Sequence, residues 1–261
     1  MGQESRFSRA QRDLLELMDV SVWTGRAGSQ PPGDSAQSAE PAAGATAPAT
    51  RDALVPGADA PAPGPATSGP PELEALRSKV AACKACGLHA GRRQTVFGVG
   101  NPRADWMFVG EGPGEEEDRR GEPFVGRAGK LLDAMLQAMK LDRTIVYIAN
   151  IVKCRPPGNR NPSLEEAAAC IPYLTRQVEL IAPRLIVALG AVAAQRLLET
   201  DRPVGALRGK LHYAAHLEPP VLVTYHPAYL LRSPGQKRKA WEDLQLAMRE
   251  MAALPGEQNA V

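Results

Sequence analysis

Four short apolar runs constrain this chain more than anything else in it: Trp106-Met-Phe-Val109, Ile145-Val-Tyr-Ile-Ala149, Leu185-Ile-Val-Ala-Leu189 and Val221-Leu-Val-Thr224. Each is short for a helix and apolar at successive positions, as a fully buried strand is. A strand apolar on both faces must be covered on both, which is the environment of a parallel sheet between helices. Helical patterns lie between and after the runs. Arg127 to Lys140 gathers Leu131, Leu132, Met135, Leu136 and Met139 on one side, and Ser163 with Glu166 three residues on forms a capping box. Ala191 to Leu198 and Gln236 to Met251 read as further helices. The pattern predicts an α/β fold, a three-layer sandwich with a central, mainly parallel four-stranded sheet flanked by helices.

In such sheets ligands sit outside the carboxyl ends of the strands. The segments following the first, second and fourth runs are Gly110-Glu111-Gly112-Pro113-Gly114, Asn150 to Arg160 and His226 to Arg232. All three should therefore meet at one edge, with Glu115 to Arg120 expected as a charged turn.

Composition divides the chain. From Gly25 to Pro71 it is Pro, Ala, Gly and Ser with few large apolar residues, too little to offset the entropy of ordering. Residues 25–71 are predicted to be a disordered linker, preceded by a short helix within residues 1–24. The folded domain is expected over 72–254, beginning with a helix whose apolar face is Leu73, Leu76 and Val80, and a disordered tail over 255–261. In the first segment Gln11-x-x-Leu14-Leu15 faintly resembles peptides that dock on sliding clamps; the plainer reading is a marginal helix that folds back or frays. The start, Met1-Gly-Gln-Glu-Ser-Arg6, carries no secretory apolar region, and Leu185 to Ala194 is too short to span a bilayer. No membrane partner, a monomer and a cytoplasmic location are expected. A net charge of +2 permits nucleic-acid binding without demanding it.

The motifs narrow the chemistry. Gly110-x-Gly112 fails as a dinucleotide fingerprint because Glu115 stands where glycine is needed, and Gly129-Lys130 fails as a P-loop because Phe124 does. Four cysteines occur, Cys83-x2-Cys86 and then Cys154 and Cys170. They suit a four-thiolate site for zinc or an iron–sulfur cluster, and a redox CxxC with two buried thiols is the alternative. The lack of a second short CxxC favours a cluster over a zinc ribbon. Phe124, flanked by Pro123 and Gly126, reads as a loop aromatic able to stack on a base.

These residues resemble family 4 uracil-DNA glycosylases. The likeness is carried by Val109-Gly-Glu-Gly-Pro-Gly114, Pro123-Phe-Val-Gly126, Asn150-Ile-Val-Lys-Cys-Arg-Pro-Pro157 and His226-Pro-Ala-Tyr-Leu-Leu-Arg232, in consistent order from about Leu73 to Met251. It implies a DNA-repair hydrolase that flips uracil out of single- or double-stranded DNA and cleaves its N-glycosidic bond. It further implies a [4Fe–4S] cluster on Cys83, Cys86, Cys154 and Cys170. Asn150 would read the uracil edge, Phe124 would stack on the ring, and Gly110 and Gly112 would border the base. His226 would stabilise the departing anion. The best-known glycosylase family has Asp where Gly112 stands, so Glu111 and then Glu117 are the candidates for handling water. Leu230, Leu231 and Arg232 resemble the loop that enters the minor groove. Arg155, Asn159 and Arg160 are expected at the DNA edge, with Lys153, Lys237, Arg238 and Lys239 as further phosphate contacts. Two alternatives remain open: a superfamily member that binds or covalently traps uracil-DNA without turnover, and a zinc-stabilised DNA-binding module. A protein–DNA adduct on a denaturing gel identifies the first, and colourless zinc-bearing protein the second.

Overall fold

The computed structural model describes residues 70–254. The expected N-terminal helix with its clamp-docking peptide, the linker as far as residue 69 and the tail 255–261 lie outside the described residues. Among the described residues no helix is long and apolar enough to cross a membrane.

The strands in chain order are β1 (Val99–Gly100), β2 (Trp106–Gly110), β3 (Tyr147–Asn150), β4 (Leu185–Leu189), β5 (Leu211–His212) and β6 (Val221–Thr224). The helices are α1 (Pro71–Ala81), α2 (Glu115–Arg120), α3 (Arg127–Ala138), α4 (Leu164–Ile181), α5 (Ala191–Leu197), α6 (Val204–Leu207), α7 (Pro227–Arg232) and α8 (Lys237–Ala253). They form one mixed sheet in the order β1-β3-β2-β4-β6-β5. The inner pairs β3–β2, β2–β4 and β4–β6 are parallel, while β1 and β5 are antiparallel at the two edges.

The four apolar runs are thus the four inner strands. The sheet nevertheless has six strands rather than four, because each edge is closed by a strand two residues long. So short a strand needs no periodicity to form.

Every residue of β2, β3, β4 and β6 is buried. Successive side chains point to opposite faces, and this alternation separates two cores. Met107 and Val109 pack with residues of α1, α4, α5 and α6, while Trp106 and Phe108 pack with residues of α3, α7 and α8. Complete burial of side chains such as Phe108 and Leu132 stabilises the fold by about 1.5–3 kcal/mol each.

Pro71 occupies the first turn of α1, where its missing N–H has no helical partner to lose, and Leu73, Leu76 and Val80 are its buried face. Ser163 caps α4 by accepting from the Glu166 amide at 3.1 Å, and Glu166 reaches back to the Ser163 amide at 2.7 Å. Glu115–Arg120, expected as a turn, is a helix: Glu117 accepts from the Gly114 amide at 3.1 Å at its start. Gly121 closes it in the left-handed region at φ 79°.

Candidate active site

Register makes the first contact of the site. Gly110 at the end of β2 pairs with Asn150 at the end of β3. Beyond the strands the pairing continues, since the Ile151 amide donates to the Gly110 carbonyl at 2.9 Å and the Val152 amide to the Glu111 carbonyl at 3.2 Å. The Asn150 side chain and the Phe124 ring both lie across Gly110. A Cβ there would sit 2.5 Å from Asn150 Oδ1 and 2.6 Å from Phe124 Cζ. Glycine is required at this point by close approach and not by backbone angle.

His226 arrives from two strands away. It follows β6, and β4 between them is followed by Gly190, where a Cβ would come within 2.8 Å of the His226 Cβ. Glycine at Gly190, with φ 92°, lets the histidine pass over β4 toward Phe124, whose ring centroid is 5.5 Å from the imidazole. His226 Nδ1 accepts from the Ala228 amide at 3.1 Å, capping α7. The ring proton therefore belongs on Nε2. Burial, and then the nearby Arg232 charge, lower its pKa to about 4 against an opposing pull from Glu117. The imidazole is a neutral donor at physiological pH.

These residues border a cleft of about 420 Å³. Glu111, Gly112, Glu117, Phe124, Asn150, Asn159, Arg160, His226 and Arg232 line it. Gly110, expected to border the base, is buried behind the Asn150 and Phe124 side chains and does not itself line the cleft. The Asn150 side chain is buried, and its Oδ1 has no hydrogen-bond partner among the described residues. Burial raises the pKa of Glu111 above its ordinary 4.5. At Gly112 an added Cβ would meet Val152 Cγ2 at 2.7 Å, so a larger residue in place of this glycine would press on the Val152 side chain of the second loop.

One expected residue, Glu117, is committed to holding loops. Glu117 accepts from the Gly114 amide through Oε2 and from the Val125 and Gly126 amides through Oε1, at 2.9 and 3.0 Å. One carboxylate thereby ties the glycine loop to the Phe124 loop. Phe124 sits at φ 55°, unusual for a bulky residue. Arg143 holds that backbone: its guanidinium donates to the Pro123 carbonyl at 3.0 Å, to the Phe124 carbonyl, and to Asp133 at 2.7 Å. Sequence reasoning missed Arg143, which no motif contains.

The DNA-edge expectations divide. Arg232 is exposed and carries no ion pair among the described residues. Arg155 pairs with Glu115 at 3.5 Å and donates to Asn159 Oδ1 at 2.7 Å. Arg160 makes a two-pronged contact with Glu166 at 2.8 and 2.7 Å. That pairing draws the Glu166 pKa down to about 2. Leu231 is half-buried, but Leu230 is wholly buried in the core. Adjacent residues on the short α7 point in different directions, so Leu230 anchors the loop and does not face a groove. Lys153 is likewise no surface cation. It is 1% exposed, and its ammonium donates to the Asn150 carbonyl at 2.8 Å and to Gln177 Oε1 at 2.5 Å. Burial lowers its pKa to about 8, against an opposing influence from Cys170. Lys237 is also buried, and Arg238 pairs with Glu242 at 2.9 Å. Asn161 and Tyr229 line the cleft without having been singled out, although Tyr229 lies inside the His226 motif.

The family model described as the uracil DNA glycosylase superfamily matches residues 97–245. A type-4 uracil-DNA glycosylase of Sulfurisphaera tokodaii is 43% identical over 190 residues, covering 70% of this chain and 86% of the relative. One of Thermotoga maritima is 44% identical over 186 residues, covering 67% and 92%. The chain belongs to the type-4 uracil-DNA glycosylases. A type-5 uracil-DNA glycosylase of Pyrobaculum aerophilum is more distant, 36% identical over 113 residues that cover 42% of this chain and 48% of the relative.

Type-4 glycosylases typically carry a [4Fe–4S] cluster, and in this type-4 chain Cys83, Cys86, Cys154 and Cys170 line one narrow hollow behind the second loop. The Arg92 guanidinium donates to Cys154 Sγ at 3.1 Å, the Lys153 amide to Cys170 Sγ at 3.3 Å, and the Ala85 amide to Cys83 Sγ at 3.4 Å. Burial pushes the Cys154 thiol up and the Cys170 thiol to about 11. No three His, Cys, Asp or Glu side chains among the described residues are grouped to share a single metal ion.

Proposed function

We propose that the cleft receives a uracil nucleotide swung out of DNA and hydrolyses its N-glycosidic bond, leaving an abasic site for base excision repair. Extrusion is required because the bond is shielded inside the stack. The observation that carries this reading is the buried, unpartnered Asn150 Oδ1 beneath the cleft. A buried acceptor without a partner costs about 1–3 kcal/mol. Uracil N3–H satisfies it, while the Asn150 amide nitrogen donates to O4. Cytosine presents a bare N3 and an amino group there, leaving two like pairs opposed. Phe124 supplies the stacking face.

As C1′–N1 breaks, the bonding electrons pass to the uracil ring and charge accumulates on O2. His226 Nε2–H, neutral and fixed by its Nδ1 bond, donates to that oxygen. The sugar gains oxocarbenium character, which the Glu111 carboxylate stabilises while it orients water and accepts its proton. Glu117 acts as a positioning residue through the two loops it joins. Arg232 and Leu231 meet the DNA at the mouth of the cleft, and Arg155, Asn159 and Arg160 form its second-loop edge.

The four cysteines fit an iron–sulfur cluster: buried thiols ionise only beside positive charge, and three N–H donors already point at sulfur. When bound, the cluster supplies metal–thiolate links between α1, the second loop and α4. The reducing cytoplasm suits such a site.

The test is incubation of the pure protein with a uracil-containing oligonucleotide, followed by alkali. Strand scission is expected with wild type and should fall at least about 100-fold in Asn150→Ala, with visible iron–thiolate absorbance retained in both. Intact strands with wild type, or an undiminished rate in the variant, would sink the reading.

A further inference from the structure

A second hollow, of about 340 Å³, adjoins the cleft and shares His226 and Tyr229 with it. Gly190, Ala191, Val204, Gly205 and Tyr225 complete its wall. Its chemistry differs from the cleft. No amide or carboxylate side chain faces it, and the conspicuous groups are two aromatic rings. Tyr225 and Tyr229 lie 5.2 Å apart between centroids, inclined at 33°. The Arg208 guanidinium stands 5.6 Å from the Tyr225 ring and is itself held by Asp243 at 3.0 Å. The Tyr225 ring is therefore fixed before any ligand arrives. Opposite, the wall is bare: a Cβ added to Gly205 would meet nothing within 4 Å.

A wall made chiefly of aromatic faces and small residues discriminates weakly between bases, but it can accept the flat face of any base. Stacking on aromatic side chains is sequence-tolerant for that reason. Position supplies the occupant. The hollow continues from the cleft across His226, so a strand whose uracil fills the cleft carries its neighbouring nucleotides past this wall. In single-stranded DNA those neighbours have unpaired bases with exposed faces.

We propose that this hollow is a second nucleobase subsite, which takes the base of a nucleotide flanking the uracil by stacking it on Tyr225 and Tyr229. The proposal rests on the reading of the cleft as the uracil pocket. It makes the subsite a contributor to substrate affinity, indifferent to base identity and most important on single strands.

The experiment uses the full chain and single-stranded oligonucleotides with one uracil. In each, one nucleotide on either side is replaced in turn by a tetrahydrofuran abasic analogue. With wild type, removing the base at one flanking position should raise KM about tenfold and leave kcat unchanged. Gly205→Leu fills the hollow from outside the cleft. It should raise KM about as much on the unmodified oligonucleotide and abolish the further loss at the sensitive position. Ala191→Leu, at the exposed start of α5, repeats the test should Gly205→Leu fold poorly. Equal KM on every oligonucleotide with wild type would overturn the subsite while leaving the uracil cleft intact. So would a loss in either filled variant that simply adds to the loss from base removal. No uracil release from any oligonucleotide would overturn the cleft reading and the subsite with it.

Discussion

An imidazole that spends Nδ1 on a backbone amide can act on a ligand only through Nε2, and the Nδ1 of His226 is occupied in this way. Its pKa of about 4, against 6.5 for an unperturbed ring, keeps it uncharged at neutral pH. A protonation step at His226 therefore belongs near pH 4, and the excision rate should show no inflection at the ordinary histidine value. Glu111 moves the other way. Burial raises its pKa above 4.5, and its proposed role needs the carboxylate. The rate should then fall as pH drops through that raised value, giving an acid limb below a plateau that extends through neutral pH. Single-turnover excision across this range checks it: Glu111→Gln should be slower and flat, and a limb unchanged in that variant would remove Glu111 from the mechanism. Asn150, Phe124 and His226 were legible as residues because each is an unusual side chain at a predictable place, a strand end or a Gly/Pro loop. Lys153 and Leu230 were not, because a linear sequence shows charge and apolarity but not depth. Glu117 was legible as a carboxylate near the site, yet only the three amides it accepts from reveal that it holds loops.

At the scale of elements, the site is a set of loops held in place by side chains from elsewhere. The Phe124 loop is the clearest case. Its left-handed backbone costs on the order of 1 kcal/mol or more, and Arg143 compensates through two carbonyls while Asp133 holds the guanidinium. Arg143→Met should free the Phe124 ring, whose proposed role is to stack on the base. We expect KM for uracil-DNA to rise more than kcat falls, with unfolding free energy lower by about 1–3 kcal/mol. Steady-state kinetics beside a denaturant melt measures both, and an unchanged KM would show that the loop holds its shape without the clasp. Elements were legible in proportion to their length and apolarity. The four inner strands and the Ser163 cap were plain. The two edge strands, at two residues each, carry no pattern, and α2 has no apolar face. The one signal α2 does carry is acidic residues in its first turn and basic residues in its last, the arrangement favoured by a helix dipole.

Across the whole molecule, one buried network connects Asn150 to the cysteine hollow. The Lys153 ammonium binds the Asn150 carbonyl and Gln177, its own amide points at Cys170, and Gln177 donates to the Phe97 carbonyl at 2.9 Å and the Tyr147 hydroxyl at 3.2 Å. Gln177 lies on α4 and is completely buried, so the helix that carries Cys170 also neutralises part of the lysine's polarity. Neither residue lies in a motif that suggests this pairing, since they stand 24 positions apart. Gln177→Leu keeps the volume but leaves a buried ammonium short of an acceptor, and should cost about 2–4 kcal/mol of unfolding free energy. The decisive comparison is the double variant Lys153→Met/Gln177→Leu. If the network matters as a pair, removing charge and acceptor together should recover a substantial part of the single-variant loss. Excision should stay depressed, because the Asn150 carbonyl has lost its donor. Denaturant unfolding and excision rates on all four proteins separate the two effects; additive stability losses would show that the lysine and the glutamine act independently.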